Sequence, residues 1–436
     1  MHTLQQLQSG ALRGITRVKL SCGLNEIPEE IFDLEDTLEI LDLSANCLHA
    51  LPDDFIRLKK LKILFLSNNE FTVFPNVLGK CLSLDMIGFK ANKIETIEEN
   101  ALPVNLRWLI LTNNCIVSLP KSIGQNHKLQ KVMLAGNRLK KLPDEMSGCL
   151  NLELLRISAN AITELPKWLF TLPRLSWLAY AGNPCDLKQN DDQDTLREIP
   201  WSDLSLKEQL GEGASGIIMR ASWKQPDKIE DVAVKVFKGE VTSDGMPIDE
   251  MKACVLAGDH TSLVTVLGKI SNHPEQNNGL VFALIPSSYK NLGGPPSFDS
   301  CTRDTYADNI NFSLHTINRI ALSIASAAWH LHQQGLNHGD LYAHNILTDE
   351  NANTLLGDFG AATCYDKSGG YAQALQRIEV RAFGCLLDDL ITHSDTNMSD
   401  PDLLILQQIR DRCLQQVVLA RPDFKQIILQ LKKFKV

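Results

Sequence analysis

A glycine-rich stretch in the second half of the chain has the composition of a phosphate-binding loop. Gly211, Gly213 and Gly216 form the pattern G-x-G-x-x-G, and glycines allow backbone amides to approach phosphates closely. The pattern alone is a weak indicator, because it also opens dinucleotide sites, but those sites need a helix directly after the loop. Here the run Ile217–Met219 follows, and its residue types favour a strand. The stretch therefore predicts a β-hairpin that covers a nucleotide.

Three further motifs follow the glycine loop in a fixed order. The run VAVK ends at Lys235, 24 residues after Gly211. The run HGDLYAHN carries Asp340 and Asn345, and the run DFG begins at Asp358, 18 residues after Asp340. Any one of these could occur by chance, but all four in this order and spacing are specific. Together they resemble the eukaryotic-type protein kinase over roughly residues 204–436.

The resemblance implies a set of residues that bind ATP. The three loop glycines would lie over the phosphates, and Lys235 would hold the α- and β-phosphates. Glu250 would orient this lysine from a helix, with Asp249 as the alternative. Kinases often place this glutamate about ten residues before a histidine, and Glu250 stands ten residues before His260. Ala233 would pack on the adenine with Ile218 beside it.

The resemblance also implies the residues that carry out the transfer, with ATP and Mg²⁺ as cofactors. Asp340 would accept or orient the proton of the attacking hydroxyl, and Asn345 and Asp358 would bind magnesium. A hinge between the two lobes would fall near Phe282–Ile285. Phosphoryl transfer needs these residue types because it depends mainly on positioning and on neutralising spread negative charge.

The sequence departs from the kinase pattern in three places. The arginine usual before the catalytic aspartate is Gly339, which makes this a non-RD sequence, and the lysine usual two residues after it in serine/threonine kinases is Tyr342. The segment after the DFG run is short and lacks Ala-Pro-Glu. It leads directly into a helix in which Glu379 would replace an aspartate, while Arg421 resembles the arginine that normally pairs with the missing glutamate. Control by activation-loop phosphorylation and conventional peptide recognition are therefore in doubt.

The kinase-like motifs lie in the second half of the chain, and the first half is built from sequence repeats. The frames "LEILDLSANCLHALPDDFIRL" from Leu38 and "LKILFLSNNEFTVFPNVLGKC" from Leu61 recur with an asparagine eight positions into each copy. These asparagines are Asn46, Asn69, Asn92, Asn114, Asn137, Asn160 and Asn183. Spacings of 22 or 23 residues predict a solenoid, and the pattern L-x-x-L-x-L-x-x-N-x-L resembles the leucine-rich repeat.

The predicted fold is an α/β leucine-rich-repeat solenoid followed by a two-lobed α+β protein kinase fold. The repeats would occupy residues 1–185 in seven to eight copies, with a polar linker over 186–203. The kinase domain would occupy 204–436, with its N-lobe over about 204–285 and its C-lobe over about 286–436.

The outward strand positions of the repeats form an unusually apolar stripe, which is typical of an interface. We expect this concave face to bind a protein partner or substrate, or the chain's own kinase domain, and flanking side chains that cover it are the structural alternative. The stripe includes Phe65, Met86, Trp108, Ile110, Met133 and Trp177.

Composition narrows the class of partner. The net charge of −9 argues against nucleic acid or an anionic membrane, and no apolar run approaches the roughly 18–20 residues that span a bilayer. The polar start of the chain does not resemble a signal peptide, and the eleven cysteines are scattered without a Cys-x-x-Cys. We therefore expect a cytoplasmic protein with reduced thiols.

Three functions remain open on the sequence. The leading hypothesis is an active kinase that phosphorylates a protein hydroxyl, on serine or threonine in preference to tyrosine, with its substrate or regulator recruited by the repeats. The second is a pseudokinase scaffold that binds nucleotide, which the short segment after Gly360 favours and which the retained Lys235, Asp340, Asn345 and Asp358 oppose. The third is a small-molecule kinase.

Overall fold

The structure is a computed structural model that describes residues 2–186, 196–213, 215–239, 241–394 and 400–434. Most of the predicted linker, 187–195, and Ala214 of the glycine loop lie outside the described residues. The chain packs as two units, each described by itself below. The first comprises Met1–Leu172 and Asn183–Cys185, and the second comprises Pro173–Gly182 and Asp186–Val436.

The first unit is built from short parallel strands in chain order, preceded by the helix α1. Each strand covers the third to fifth positions of a repeat frame, and its middle residue, such as Leu64 or Leu109, is fully buried. Stacked repeats bury a continuous leucine core in this way. The elements are α1 (Leu4–Gln8), β1 (Arg17–Lys19), β2 (Ile40–Asp42), β3 (Ile63–Phe65), β4 (Met86–Gly88), β5 (Trp108–Ile110), β6 (Lys131–Met133) and β7 (Leu154–Arg156).

The returning side of the repeats is formed by 3₁₀ helices, each of which begins after a proline. They span Glu29–Leu34, Asp53–Arg57, Asn76–Lys80, Lys121–Gln125, Asp144–Gly148 and Lys167–Thr171. Proline suits the position before such a turn because its φ is fixed and the missing N–H is not needed there.

The repeat asparagines satisfy backbone groups that would otherwise be buried without partners. The side-chain amide of Asn114 donates to the carbonyl oxygens of Phe89 at 2.9 Å and Leu111 at 3.0 Å. Its own oxygen accepts a hydrogen bond from the N–H of Ile94 at 3.0 Å. Asparagine alone offers both functions at this length, which explains its recurrence.

The second unit contains a mixed six-stranded sheet, whose strands in spatial order are β10 (Leu204–Glu212), β11 (Gly216–Lys224), β12 (Ile229–Phe237), β14 (Gly279–Ala283), β13 (Val266–Ser271) and β9 (Glu198–Pro200). The predicted strand, glycine turn and strand are confirmed as β10 and β11, and the VAVK run lies in β12. The edge strand β9 pairs parallel to β13, although the sequence places it in the predicted linker. In chain order, the first eight strands of the second unit are β8 (Trp177–Ala179), β9 (Glu198–Pro200), β10 (Leu204–Glu212), β11 (Gly216–Lys224), β12 (Ile229–Phe237), β13 (Val266–Ser271), β14 (Gly279–Ala283) and β15 (Lys290–Asn291).

Helices and short strands make up the rest of the second unit. The helix α3 (Leu314–Gln334) is capped by the Ser313 side chain and ended by Gly335 at φ +75°. The helices and remaining strands of the second unit are α2 (Pro247–Ala257), α3 (Leu314–Gln334), β16 (Leu336–Asn337), β17 (Ile346–Thr348), β18 (Thr354–Leu356), β19 (Thr363–Cys364), α4 (Ala372–Thr392), α5 (Pro401–Cys413) and α6 (Phe424–Leu431). Within the described part of the chain, no helix has the length and apolar character needed to cross a membrane.

Candidate active site

The glycine loop is the turn of the hairpin formed by β10 and β11. A Cβ added to Gly216 would lie 2.6 Å from the carbonyl oxygen of Val236, so only glycine allows the two backbones to approach this closely. A Cβ on Gly211 or on Gly213 would meet no atom within 4 Å. These two glycines border open space, which is the condition for their backbone to approach a ligand.

A buried ion pair joins β12 to α2. The ammonium of Lys235 contacts Glu250 Oε1, and the two side chains are 13% and 3% exposed. The structure therefore pairs the lysine with Glu250 and not with the alternative, Asp249. Burial raises the pKa of Glu250, the charge of Lys235 opposes the rise, and the Asp358 carboxylate adds to it. Three of the predicted site residues thus share one electrostatic environment.

The predicted adenine-binding residues lie on adjacent strands. Ile218 of β11 is paired with Lys235 of β12, and Ala233 of β12 is paired with Phe282 of β14. Ala233 is buried and Ile218 is half-buried. Strand pairing thus brings the candidate hinge at Phe282–Ile285 next to the strand that carries the lysine.

Asp340 is held by its neighbours in the catalytic loop, which we define as residues 338–345. The amide nitrogen of Asn345 donates to Asp340 Oδ2 at 2.8 Å and to its carbonyl oxygen at 3.0 Å. The Asp340 N–H lies 3.3 Å from His338 Nδ1, while His338 Nε2 lies 2.9 Å from the carbonyl oxygen of Gly357. Because a carbonyl only accepts, the proton of the His338 ring sits on Nε2, and Nδ1 is left to accept from Asp340.

The oxygen donors near the loop fit a hard cation that also binds phosphate. The Asn345 amide nitrogen is committed to Asp340, so its oxygen is the atom left to coordinate a metal. Asp358 is exposed and at φ +57°, and its Oδ1 accepts the Gly360 N–H at 3.1 Å. Among the described residues, no group of three or more His, Cys, Asp or Glu could hold a metal by itself. Mg²⁺ commonly takes one or two protein oxygens and completes its coordination with water and substrate phosphates.

Glu379 fixes the backbone of the loop from inside α4. Its Oε1 accepts the Gly339 N–H at 2.8 Å, and its Oε2 accepts a hydrogen bond from His332 Nε2 at 2.8 Å. Burial alone would raise the pKa of Glu379, but the hydrogen bond and charge of His332, with His338 and the Gly339 N–H, lower it overall. The carboxylate is therefore ionised and tied to the residue that precedes Asp340.

A second carboxylate, which no sequence motif indicates, also holds the loop. Asp304 accepts the Ala343 N–H at 2.5 Å through Oδ2, and its Oδ1 lies 2.6 Å from His344 Nδ1. Burial lowers the pKa of His344, but the hydrogen bond and charge of Asp304, with Asp340 and Asp358, raise it overall. Asp304 has no motif around it, because its role depends on a contact 40 residues away.

The residues of the apolar stripe have different environments. Phe65, Trp108, Ile110 and Met133 are half-buried, and Met86 is buried. Trp177 is 1% exposed and packs inside the second unit, where its ring stacks on Tyr342. Of the two expected occupants of the stripe, Trp177 therefore meets the kinase region of its own chain, and its burial leaves it unavailable to a separate protein partner.

Comparison with known proteins divides the chain in the same way as its motifs. Residues 204–381 match the family model of protein tyrosine and serine/threonine kinases. Residues 36–94 and 127–184 match the leucine-rich repeat model.

Individual relatives match parts of the chain. It is 31% identical over 179 residues to a probable serine/threonine-protein kinase of Dictyostelium discoideum, which covers 39% of this chain and 10% of that protein. It is 28% identical over 207 residues to a tyrosine-protein kinase receptor of Gallus gallus, at 45% and 23%. It is 32% identical over 165 residues to leucine-rich repeats and immunoglobulin-like domains protein 1 of Homo sapiens, at 36% and 15%. The chain thus spans less than a quarter of the length of each of these relatives.

Proposed function

Because the chain consists of leucine-rich repeats followed by a protein kinase domain, we propose that it transfers the γ-phosphate of ATP to a protein hydroxyl. The observation that carries the proposal is the Asp340–Asn345 pair at 2.8 Å, in the same unit as the Lys235–Glu250 ion pair. A chain that had lost phosphotransfer would have no functional need to keep the Lys235–Glu250 ion pair buried and the Asp340–Asn345 pair hydrogen-bonded.

In this proposal each polar group has one task. Lys235, held by Glu250, neutralises the α- and β-phosphates of ATP. Asp340 orients the acceptor hydroxyl and takes its proton as the oxygen bonds to the γ-phosphorus and the bond to ADP breaks. Asn345 and Asp358 would hold Mg²⁺, which supplies charge neutralisation at the phosphates. The hydrogen bond from Asn345 keeps the carboxylate of Asp340 oriented towards the acceptor hydroxyl.

The acceptor is proposed to be serine or threonine in preference to tyrosine. Support comes from the Dictyostelium relative named as a probable serine/threonine-protein kinase, which is 31% identical over the matched residues. Gly339 in place of the arginine further suggests an enzyme that does not need a phosphorylated activation loop. We also propose a cytoplasmic location, in keeping with cysteines that are scattered along the sequence without a Cys-x-x-Cys motif.

Radiolabelled ATP tests the proposal. Wild type with Mg²⁺ should place label on a protein acceptor, and Asp340→Ala should abolish it while Asp308→Ala, a change at an exposed aspartate of the same unit, should not. Nucleotide binding without any transfer would identify a pseudokinase scaffold instead. Label found only on a small acceptor would identify a small-molecule kinase.

One observation favours the scaffold as the second candidate. After Asp358 the chain forms the short strand β19 and enters α4 at Ala372, so few residues remain for a peptide-docking surface. The loss of such a surface affects recognition of an acceptor and leaves the phosphate-binding groups in place. The scaffold would therefore still bind ATP.

We also propose that the half-buried stripe of the first unit binds a protein partner or substrate. Phe65, Trp108, Ile110 and Met133 present apolar surface on the strands β3, β5 and β6, and such surfaces usually mark interfaces. The double variant Phe65→Glu/Trp108→Glu should lose a co-purifying partner and keep nucleotide binding. The matched control is Leu82→Glu/Leu150→Glu, at positions that are 61% and 56% exposed. The proposal would be contradicted if both double variants lost the co-purifying partner equally, or if neither of them lost it.

A further inference from the structure

Trp177 contacts the catalytic loop through both its ring and its N–H. The indole stacks on the ring of Tyr342 with centroids 4.3 Å apart and an angle of 7° between the planes. Its Nε1 donates to the carbonyl oxygen of Leu341 at 3.1 Å. These two contacts hold the residues that directly follow Asp340.

The backbone next to Trp177 also occupies the space beside Gly339. A Cβ on Gly339 would lie 2.9 Å from the carbonyl oxygen of Leu178 and 2.4 Å from that of Ala361. Gly339 is at φ +72°, which glycine adopts without strain. The residue before Asp340 is thus confined between two chain segments, and one of them is the stretch that carries Trp177.

The segment Pro173–Gly182 is itself anchored by arginines and by a strand of the second unit. Arg421 donates to the carbonyl oxygen of Pro173 at 2.7 Å, and Arg381 donates to Ser176 Oγ at 2.7 Å. The Tyr180 N–H donates to Thr363 Oγ1 at 3.2 Å, beside β19. Hydrogen bonds at both ends of the segment fix the position from which Trp177 reaches the loop.

We propose that Trp177 is a positioning residue for phosphoryl transfer: it holds Leu341 and Tyr342, and through them Asp340, in the geometry that the reaction needs. The inference rests on the proposed function. Transfer is sensitive to such support, since misplacing a reacting group by 1 Å can cost roughly a hundredfold in rate. Lys235 and Glu250, which would bind the nucleotide, pair with each other, whereas Trp177 contacts the residues after Asp340, so nucleotide affinity should not depend on Trp177.

The test compares two substitutions in the full chain. Trp177→Leu removes the ring and the N–H, whereas Trp177→Phe keeps a ring that can stack and loses only the donor. With MgATP and casein as a generic protein acceptor, we expect kcat to fall about a hundredfold in the leucine variant and to recover at least about tenfold in the phenylalanine variant. KM for ATP should stay within about twofold. The stoichiometry of mant-ATP binding gives the folded fraction, and Trp168→Ala is the control tryptophan.

Hydrogen exchange supplies a readout that does not need an active enzyme. Amides of residues 339–345 should exchange at least tenfold faster in Trp177→Leu, while those of β12 stay at the wild-type rate. Wild-type kcat and exchange in a folded leucine variant would overturn the inference. Should that variant not fold, faster loop exchange in Trp177→Phe supports it and unchanged exchange overturns it. A wild type that transfers no phosphate refutes the proposed function, and the exchange comparison then decides the role of Trp177 separately.

Discussion

The buried carboxylate of Glu379 accepts the N–H of Gly339, the residue immediately before Asp340, at 2.8 Å. The second oxygen of the same carboxylate is occupied by His332. A single ionised group therefore links α3, α4 and the catalytic loop, and its charge is matched by donors on both sides.

Replacing Glu379 with glutamine should destabilise the fold and the loop together. The amide can still accept from Gly339, but its NH₂ would face the N–H of His332, and an unsatisfied buried polar group costs about 1–3 kcal/mol. Urea unfolding at pH 7 should report this loss, and Glu350→Gln at an exposed site should change stability by less than about 0.5 kcal/mol.

The pH dependence of the same variant gives an independent check. The folded pKa of Glu379 is lowered, so the unfolded chain binds its proton first and the stabilisation is present above the unfolded value, about 4.3. In wild type this contribution should fade as the pH falls through the lowered pKa. A Glu379→Gln protein with the same acid profile as wild type would contradict the assignment.

The pairing of Lys235 with Glu250 predicts different effects at two adjacent acids. Glu250→Gln removes the charge that holds the lysine, and we expect mant-ATP affinity to fall by about tenfold, or roughly 1.4 kcal/mol. Asp249→Asn, next in sequence and outside the ion pair, should change affinity by less than about twofold. Equal effects at both positions would mean that the pair does not orient the lysine.

Local sequence patterns predict those parts of the site whose geometry depends on residues close together in the chain. The hairpin around Gly211 and the strand carrying Lys235 follow from residue spacing and from turn chemistry within a few residues. The contact of Trp177 with Leu341 joins residues 164 positions apart, and no periodicity encodes it. The sequence therefore places Trp177 in the apolar stripe, because its repeat position matches that of Trp108.

The His344–Asp304 pair predicts a stability change in the neutral pH range. The raised pKa of His344 means that the folded chain still binds the proton after the unfolded chain, at about 6.5, has lost it. The stabilisation is therefore full below about pH 6.5 and is lost as the pH rises through the folded pKa. Melting temperatures of wild type and His344→Gln should differ more at pH 6 than at pH 9. His315→Gln, at an exposed position, should show no such trend.

The asparagine ladder predicts a large effect in the first unit. Asn114→Ala leaves the carbonyls of Phe89 and Leu111 and the N–H of Ile94 without their side-chain partner, and we expect a loss of about 2–4 kcal/mol. Asn105→Ala removes one exposed hydrogen bond to the Leu82 carbonyl and should cost less than about 1 kcal/mol. Chemical unfolding followed by circular dichroism measures both, and similar losses would refute the role of the ladder.

Replacing Gly339 with alanine tests how tightly the neighbouring chain segments enclose the catalytic loop. Alanine there must adopt φ +72° and place its Cβ 2.4 Å from the Ala361 oxygen, so we expect a loss of at least about 2 kcal/mol. Gly370→Ala is the matched control, because a Cβ there meets no atom within 4 Å and its φ is not positive. Differential scanning calorimetry should show a lowered Tm for Gly339→Ala and a wild-type or slightly raised Tm for Gly370→Ala. A Gly339→Ala protein with wild-type Tm would mean that Leu178 and Ala361 can move away from the loop, and that the enclosure of Asp340 is weaker than these distances indicate.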